Sequence, residues 1–129
     1  MLKPHPSLNE EEAIVEAKNG VQELADLGKA YDVPVSIHLN PTYIAEGCSL
    51  TNEMLDSGFQ PPELTSVIKV IEFAGQLKTP IYVGLDDEGQ AVEGGTFRST
   101  GLNKEKAVKA ILDFNRHQDF KRMMKEINS

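Results

Sequence analysis

The chain has 129 residues, 40% hydrophobic and 26% charged, enough apolar content for one ordinary domain with a real core and too much for wholesale disorder. Its formal charge of −7 disfavours nucleic acid or an anionic membrane surface as partner, because phosphate binding needs clustered Lys and Arg. No basic stripe offsets that balance; Lys121, Arg122 and Lys125 read as cations placed near a helix C-terminus.

In chain order, the first predicted element is a helix. Ser7 and Glu10 have capping-box spacing, and Glu10, Glu11 and Glu12 suit the positive end of a helix dipole. Ile14, Ala17, Val21, Leu24, Ala25 and Gly28 then recur every three or four residues as one apolar face, and Asp32 and Pro34 end it. Val33 to Asn40 alternates strictly. Val33, Val35, Ile37 and Leu39 share one face of a strand, and Ser36, His38 and Asn40 share the other. Residues 41–60 read as a long connection with one short helix from Leu50 to Ser57 closed by Gly58.

Pro61-Pro62 opens a second long helix with Leu64, Val67, Ile68, Ile71 and Ala74 as its buried stripe. Pro80 to Leu85 is a second strand, Asp86 to Gly89 a turn, and Ala91 to Phe97 a third, irregular strand. Asn103 caps a last helical region whose face is Ala107, Ala110, Ile111 and Phe114. Phe120, Met123, Met124 and Ile127 extend it beyond a break near Arg116–Asp119.

The expected fold class is therefore α/β. Two strands joined by a helix imply a parallel, right-handed crossover, and a hairpin partner implies an antiparallel third strand, all packed by helices. A complete eight-stranded barrel takes about 250 residues, so this chain fits only a partial (β/α) barrel-like layer. No apolar run approaches the roughly 20 residues needed to span a bilayer. The segment Met1 to Pro6 lacks the apolar stretch of a signal peptide, and a lone cysteine fits a reducing compartment, so the expected location is cytoplasmic.

Chemistry concentrates on the polar side of the first strand. In parallel α/β sheets ligands collect at the carboxyl ends of strands, which is where His38 and Asn40 fall. Two readings stay open for Ser36, His38 and Asn40: a ligand-lining face, or the ordinary solvated side of a one-sided sheet. Metal ligation needs three or four donors, and His5, His117 and Cys48 show no ligand spacing with His38. No metal site is expected. Cys48 could act as a nucleophile only with a base such as His38 nearby, and a small buried hydrophobe is the commoner role. Glu93-Gly94-Gly95 sets a carboxylate beside two permissive glycines, the pattern of a bulge or of backbone drawn close to a ligand. No glycine-rich phosphate loop and no calcium loop is present.

Leu2-Lys3-Pro4-His5-Pro6 with the Glu-rich helix, followed by Val35-Ser36-Ile37-His38-Leu39-Asn40-Pro41-Thr42-Tyr43-Ile44-Ala45-Glu46-Gly47, resembles the C-terminal half of certain radical S-adenosylmethionine (SAM) iron–sulfur oxidoreductases. These are the elongator-like and methylthiotransferase-like type, including members close to the archaeosine-synthesis type. Pro61-Pro62-Glu63-Leu64, Ser66-Val67-Ile68, Val83-Gly84-Leu85, Phe114-Asn115 and Gln118-Asp119 are similar to the same family's closing segments. The resemblance implies a partial barrel in which Ser36, His38, Asn40, Tyr43 and Glu93 line the SAM and substrate cavity. It also implies SAM and a 4Fe-4S cluster as cofactors of a full-length enzyme.

The chain departs from that family in one decisive respect. The family holds its cluster with three cysteines in a C-x3-C-x2-C motif, cluster ligation needs Cys thiolates, and Cys48 is the single cysteine here. Residues 1–129 are thus expected to form one α/β domain, the C-terminal fragment of a larger barrel, with no cofactor of its own and no catalytic competence alone. Its expected partners are a small-molecule or SAM ligand, and the missing N-terminal barrel half or a second copy of itself. The alternatives are a stand-alone α/β module binding a small ligand or protein, and a structural domain that completes its sheet by self-association.

Overall fold

The computed structural model describes residues 1–3, 8–42, 53, 56–86 and 96–129, and among them six elements follow one another. They are helix α1 (Glu10–Tyr31), strand β1 (Ile37–Leu39), helix α2 (Leu64–Gln76), strand β2 (Ile81–Val83), helix α3 (Lys104–His117) and helix α4 (Phe120–Ile127). Among the described residues the fold is mixed α/β and helix-dominated, with four helices and one sheet of two parallel strands.

Helix α1 starts two residues later than the Ser7–Glu10 spacing predicts. Asn9 is the N-cap: its side chain accepts from the Glu12 amide at 2.8 Å, and the Glu12 carboxylate accepts from the Asn9 amide at 3.2 Å. Asn-x-x-Glu satisfies two orphan donors as well as Ser-x-x-Glu does, and a run of three glutamates allows either register. Glu10 is thereby released for a tertiary role. The helix ends at Asp32, which takes a left-handed conformation (φ 52°, ψ 47°) that Asp tolerates better than most residues.

The strand that follows is shorter than its alternation. Val33 is 54% exposed and spends its amide on the Gly28 carbonyl at 2.9 Å, and Pro34 has no amide to give a ladder. Pairing therefore begins only at Ile37. The close return of the chain needs Gly28, where a Cβ would stand 2.8 Å from the Val35 side chain and 3.0 Å from the Val33 carbonyl.

β1 and β2 pair in the register Ile37–Ile81, His38–Tyr82 and Leu39–Val83. Ile37, Leu39, Ile81 and Val83 join one core with Val21 of α1, Val67 and Ile71 of α2, Ile111 of α3 and Met123 of α4. All four helices thus contribute to the one core that takes the apolar face of the sheet. The expected stripe of α2 is buried in full, as is that of α3, and Asn103 caps α3 as expected, accepting from the Lys106 amide at 3.1 Å. The break between α3 and α4 falls at Gln118, in the left-handed region (φ 52°), with Asp119 capping α4. Leu24 departs from its expected place: it is 43% exposed, on the flank of α1 rather than in the core.

Both edges of the sheet have a structural answer. At β1, Leu2 is fully buried and makes a parallel bridge with Pro41, donating to the Asn40 carbonyl and accepting from the Thr42 amide, each at 3.0 Å. A strand-like rung therefore precedes α1. At β2, side chains close the outer edge. Asn115 accepts from the Val83 amide at 2.8 Å and donates to the Val83 carbonyl at 2.9 Å. Gln118 does the same for Ile81 at 3.0 and 2.8 Å. Two amides three residues apart on a helix end stand in for a neighbouring strand. Most of the expected third strand lies outside the described residues; Phe97 is not in a strand, and Arg98 forms an isolated parallel bridge with Glu63. Most of the short helix expected over Leu50 to Ser57 also lies outside the described residues, and Gly58 behind it has a positive φ of 77°.

No described helix is long and apolar enough to cross a membrane.

Candidate functional site

The alternation that buries Ile37 and Leu39 turns His38 outward, and the register does the same to Tyr82 beside it. Their rings stack with centroids 5.5 Å apart and planes at 29°. Ser36 and Asn40 flank this pair and are exposed, as is His38. Three of the five expected site residues thus share one face, on the side of the sheet away from the core to which all four helices contribute. Tyr43 and Glu93 lie outside the described residues, as do Cys48 and His5.

Asn40 links this face to the carboxyl ends of both strands. A Cβ built on Gly84 would come within 2.6 Å of the Asn40 Oδ1, so the amide lies across the Gly84 backbone and any larger residue there would displace it. Gly84 also lines a cleft of ≈ 810 Å3 with Val83, Leu85, Asp86, Phe97 and Lys104 among its walls. Its floor is apolar, and its rim carries Asp86, Lys104 and Glu105. The Lys104 ammonium sits 5.3 Å from the centre of the Phe97 ring, a cation–π contact. Ser36, His38, Asn40 and Tyr82 do not line the cleft; it lies at the carboxyl end of β2, where small molecules usually sit in parallel α/β sheets.

Tyr82, Gly84 and Asp86 belong to this site and escaped the reading from sequence. The signal for Tyr82 was available, since Ile81 and Val83 bracket it as Ile37 and Leu39 bracket His38. Gly84 and Asp86 carry no local signal, because their importance lies in the distance to Asn40 and in the cleft.

A second polar cluster lies where α1, α2 and the segment after residue 96 meet. The Glu10 carboxylate accepts from Lys3 Nζ at 3.0 Å, from Arg98 Nη2 at 2.8 Å and from the Ser66 hydroxyl at 2.6 Å. Arg98 also pairs with Glu63 at 3.0 Å and donates to the Pro61 carbonyl at 2.7 Å. Glu63 in turn accepts from the Thr100 hydroxyl at 2.9 Å. Lys3 is buried to 6% exposure with its ammonium 5.4 Å from the Phe59 ring centre. Burial pushes the Glu10 carboxyl up, but the Ser66 hydroxyl, then Lys3 and the Glu63 amide, outweigh it and hold its pKa below the ordinary value. Every charge here has a partner, and four chain segments are tied by it. The cluster is a structural clamp.

The donor set does not fit an iron–sulfur cluster, which takes Cys thiolates, because Cys48 is the only cysteine. Among the described residues no three His, Cys, Asp or Glu side chains converge as a metal site.

Comparison of the chain with protein-family models, with curated proteins and with solved structures returns no match.

Proposed function

We propose that the Ser36/His38/Asn40 face is the small-molecule-lining wall of a (β/α) barrel sector, as in the C-terminal part of a radical SAM oxidoreductase. In this reading Tyr43 and Glu93 join the same wall, SAM and substrate meet against it, and the cluster-bearing half is supplied by other polypeptide. The chain alone is not catalytically competent. One observation carries the reading: the sheet packs its apolar face against helices contributed from the whole chain and leaves Ser36, Asn40 and a His38 stacked on Tyr82 along the other. Further support comes from the order of the parallel rungs. Leu2, β1 and β2 stand side by side in chain order, separated by α1 and α2, the progression that a barrel wall requires and that each half of a doubly wound sheet shares.

Titration of the isotope-labelled chain with S-adenosylhomocysteine, an unreactive relative of SAM, tests the wall. Amide shifts at residues 36–40 and 82–86, and at Tyr43 and Glu93, are expected, whereas shifts absent at 36–40 at millimolar ligand contradict the reading. Reconstitution with iron and sulfide is expected to leave the protein colourless, and a stoichiometric cluster spectrum would overturn the assignment of the cluster to another polypeptide.

A second reading has one observation of its own. Asn115 and Gln118 seal the outer edge of β2, as a self-contained α/β module binding a small ligand or protein would require. The two readings share the same face for the ligand and differ in whether the sheet continues beyond Leu2.

A further inference from the structure

We infer that α1 pairs with the α1 of a second copy of this chain, antiparallel, about a two-fold axis level with Gln22. The surface lies on α1, on the core side of the sheet, and its pairing does not depend on what the polar wall binds. Leu24, Leu27 and Tyr31 are 43%, 52% and 74% exposed, and they fall in one row on the last turns of the helix. The chain that follows them, 32–42, is described throughout. The Lys18 ammonium, 5.7 Å from the centre of the Phe73 ring, marks the flank of α1 that α2 covers. By the helical repeat the row stands roughly half a turn from Lys18, on the flank away from α2. Val15 is exposed too, but by itself on another face. One exposed valine needs no explanation, whereas a row of three large apolar side chains does.

Spacing points to a helix as the occupant. Ala17, Gly20, Leu24, Leu27 and Tyr31 recur at alternating intervals of three and four residues, the seam of a helix pair. Packing within the chain does not account for Gly20. A Cβ built there meets nothing within 4 Å, and glycine weakens a helix interior. Close approach of a neighbour from outside does account for it.

Side-chain size selects a second copy and fixes its direction. The seam is small in its first half, Ala17 and Gly20, and large in its second, Leu24 and Leu27. Turned end for end on itself, it sets Gly20 of one copy against Leu24 of the other and Ala17 against Leu27, and both pairings centre on Gln22. Large side chains then fill the hollows that small ones leave, as close packing and a self-complementary two-fold contact require. A parallel pair stacks glycine on glycine and leaves a gap. The exposed parts of the three large side chains come to roughly 350 Å2 per copy, the size of the largest patch on a typical monomer. Two copies joined here bury about 1,000 Å2 in total with the flanking stems, the low end of specific interfaces and the scale of a weak, reversible dimer. One contribution opposes it. Glu23 is exposed, and its place beside the axis sets it against its own counterpart, a like-charge contact that weakens the pair.

Sedimentation equilibrium of the full chain tests the pairing, and is expected to show a mass moving from one chain toward two between about 10 µM and 1 mM, the range of a small interface. Gly20→Leu is expected to weaken association at least tenfold through lost close packing, while its melting temperature stays level or rises because leucine is the better helix former. Leu24→Asp is expected to weaken it as much, and Leu112→Ser, which removes a comparably exposed leucine from α3, leaves it unchanged. Glu23→Gln is expected to tighten the dimer about twofold to fivefold, and it keeps the test intact should the other variants misfold. Direction is read by mixing isotope-labelled chain with unlabelled Ala30→Cys, Cys48→Ser chain carrying a nitroxide. Broadening is expected near residues 14–18 of the labelled copy.

A single-chain mass at 1 mM overturns self-association and leaves this flank of α1 to the missing barrel half. Association indifferent to Gly20→Leu and Leu24→Asp, or loosened by Glu23→Gln, overturns the face. Broadening centred on residues 27–31 instead of 14–18 overturns the antiparallel direction. None of these results bears on S-adenosylhomocysteine shifts at residues 36–40, so the dimer and the wall stand or fall separately.

Discussion

The two polar regions of this molecule spend their side chains in opposite ways. Around Glu10, a carboxylate, an ammonium, a guanidinium and a hydroxyl satisfy one another across four chain segments, and little polar capacity is left over. Around His38, the polar groups stand exposed on the sheet, and the contact that orders them is a ring stack. Buried polar groups must be paired because desolvation is otherwise uncompensated, so a completed network marks architecture. Unspent hydrogen-bonding capacity beside a cleft marks a place for something else to bind. Substitutions can break this contrast, because they should cost stability in the first region and binding in the second.

The largest effect is expected at the clamp. Glu10→Ala strands the buried Lys3 ammonium and leaves Arg98 only Glu63 and the Pro61 carbonyl, and a loss of about 2–3 kcal/mol is expected from the penalty for breaking a largely buried pair. Urea unfolding measures it, and a loss below about 0.5 kcal/mol, the scale of an ordinary surface substitution, would remove the clamp from the account. Next comes the sheet edge. Asn115→Leu leaves the Val83 amide and carbonyl without their partners, an expected loss of about 1–2 kcal/mol, accompanied by faster hydrogen exchange at Val83 than at Leu39.

Acid titration sharpens the same comparison. The Glu10 carboxyl titrates below its ordinary range in the folded protein, so its contribution is fully present above the unfolded value of about 4.3. It is lost as pH falls through the lower folded value, because the unfolded chain takes up the proton first. Stability should therefore decline below about pH 4.5, and Glu10→Gln should flatten that decline while His38→Ala should not. The smallest stability effect is expected at the open face. Gly84→Ala forces only an exposed amide to move, for about 0.5 kcal/mol or less, yet it should displace the Asn40 side-chain resonances and weaken ligand shifts at residues 36–40.

Periodicity made most of the fold legible before any coordinates. Strict alternation placed Ile37 and Leu39 inward and His38 outward, and the helical spacing of Leu64, Val67, Ile68, Ile71 and Ala74 matched a buried stripe in full. What stayed hidden was tertiary. Asn115 and Gln118 look like solvated helix-end residues, and only the approach of β2 makes them a substitute strand. Glu10 reads locally as an acid at a helix N-terminus, while its real partners, Ser66 and Arg98, lie 56 and 88 residues away. Leu24 fits the core periodicity by spacing, but it lies at the margin of that arc and faces out. At the site, the face was legible and the cleft was not, because a cleft is made by elements whose contacts no local pattern records.

One comparison reaches the central claim most directly: S-adenosylhomocysteine titration and thermal melting of wild type beside the combined Ser36→Ala, His38→Ala and Asn40→Ala variant. If this surface is a binding wall, the variant melts within about 2 °C of wild type, as exposed substitutions do, and loses the ligand-induced shifts at residues 82–86. A collapse in melting temperature, or ligand shifts that survive the three substitutions, would contradict it.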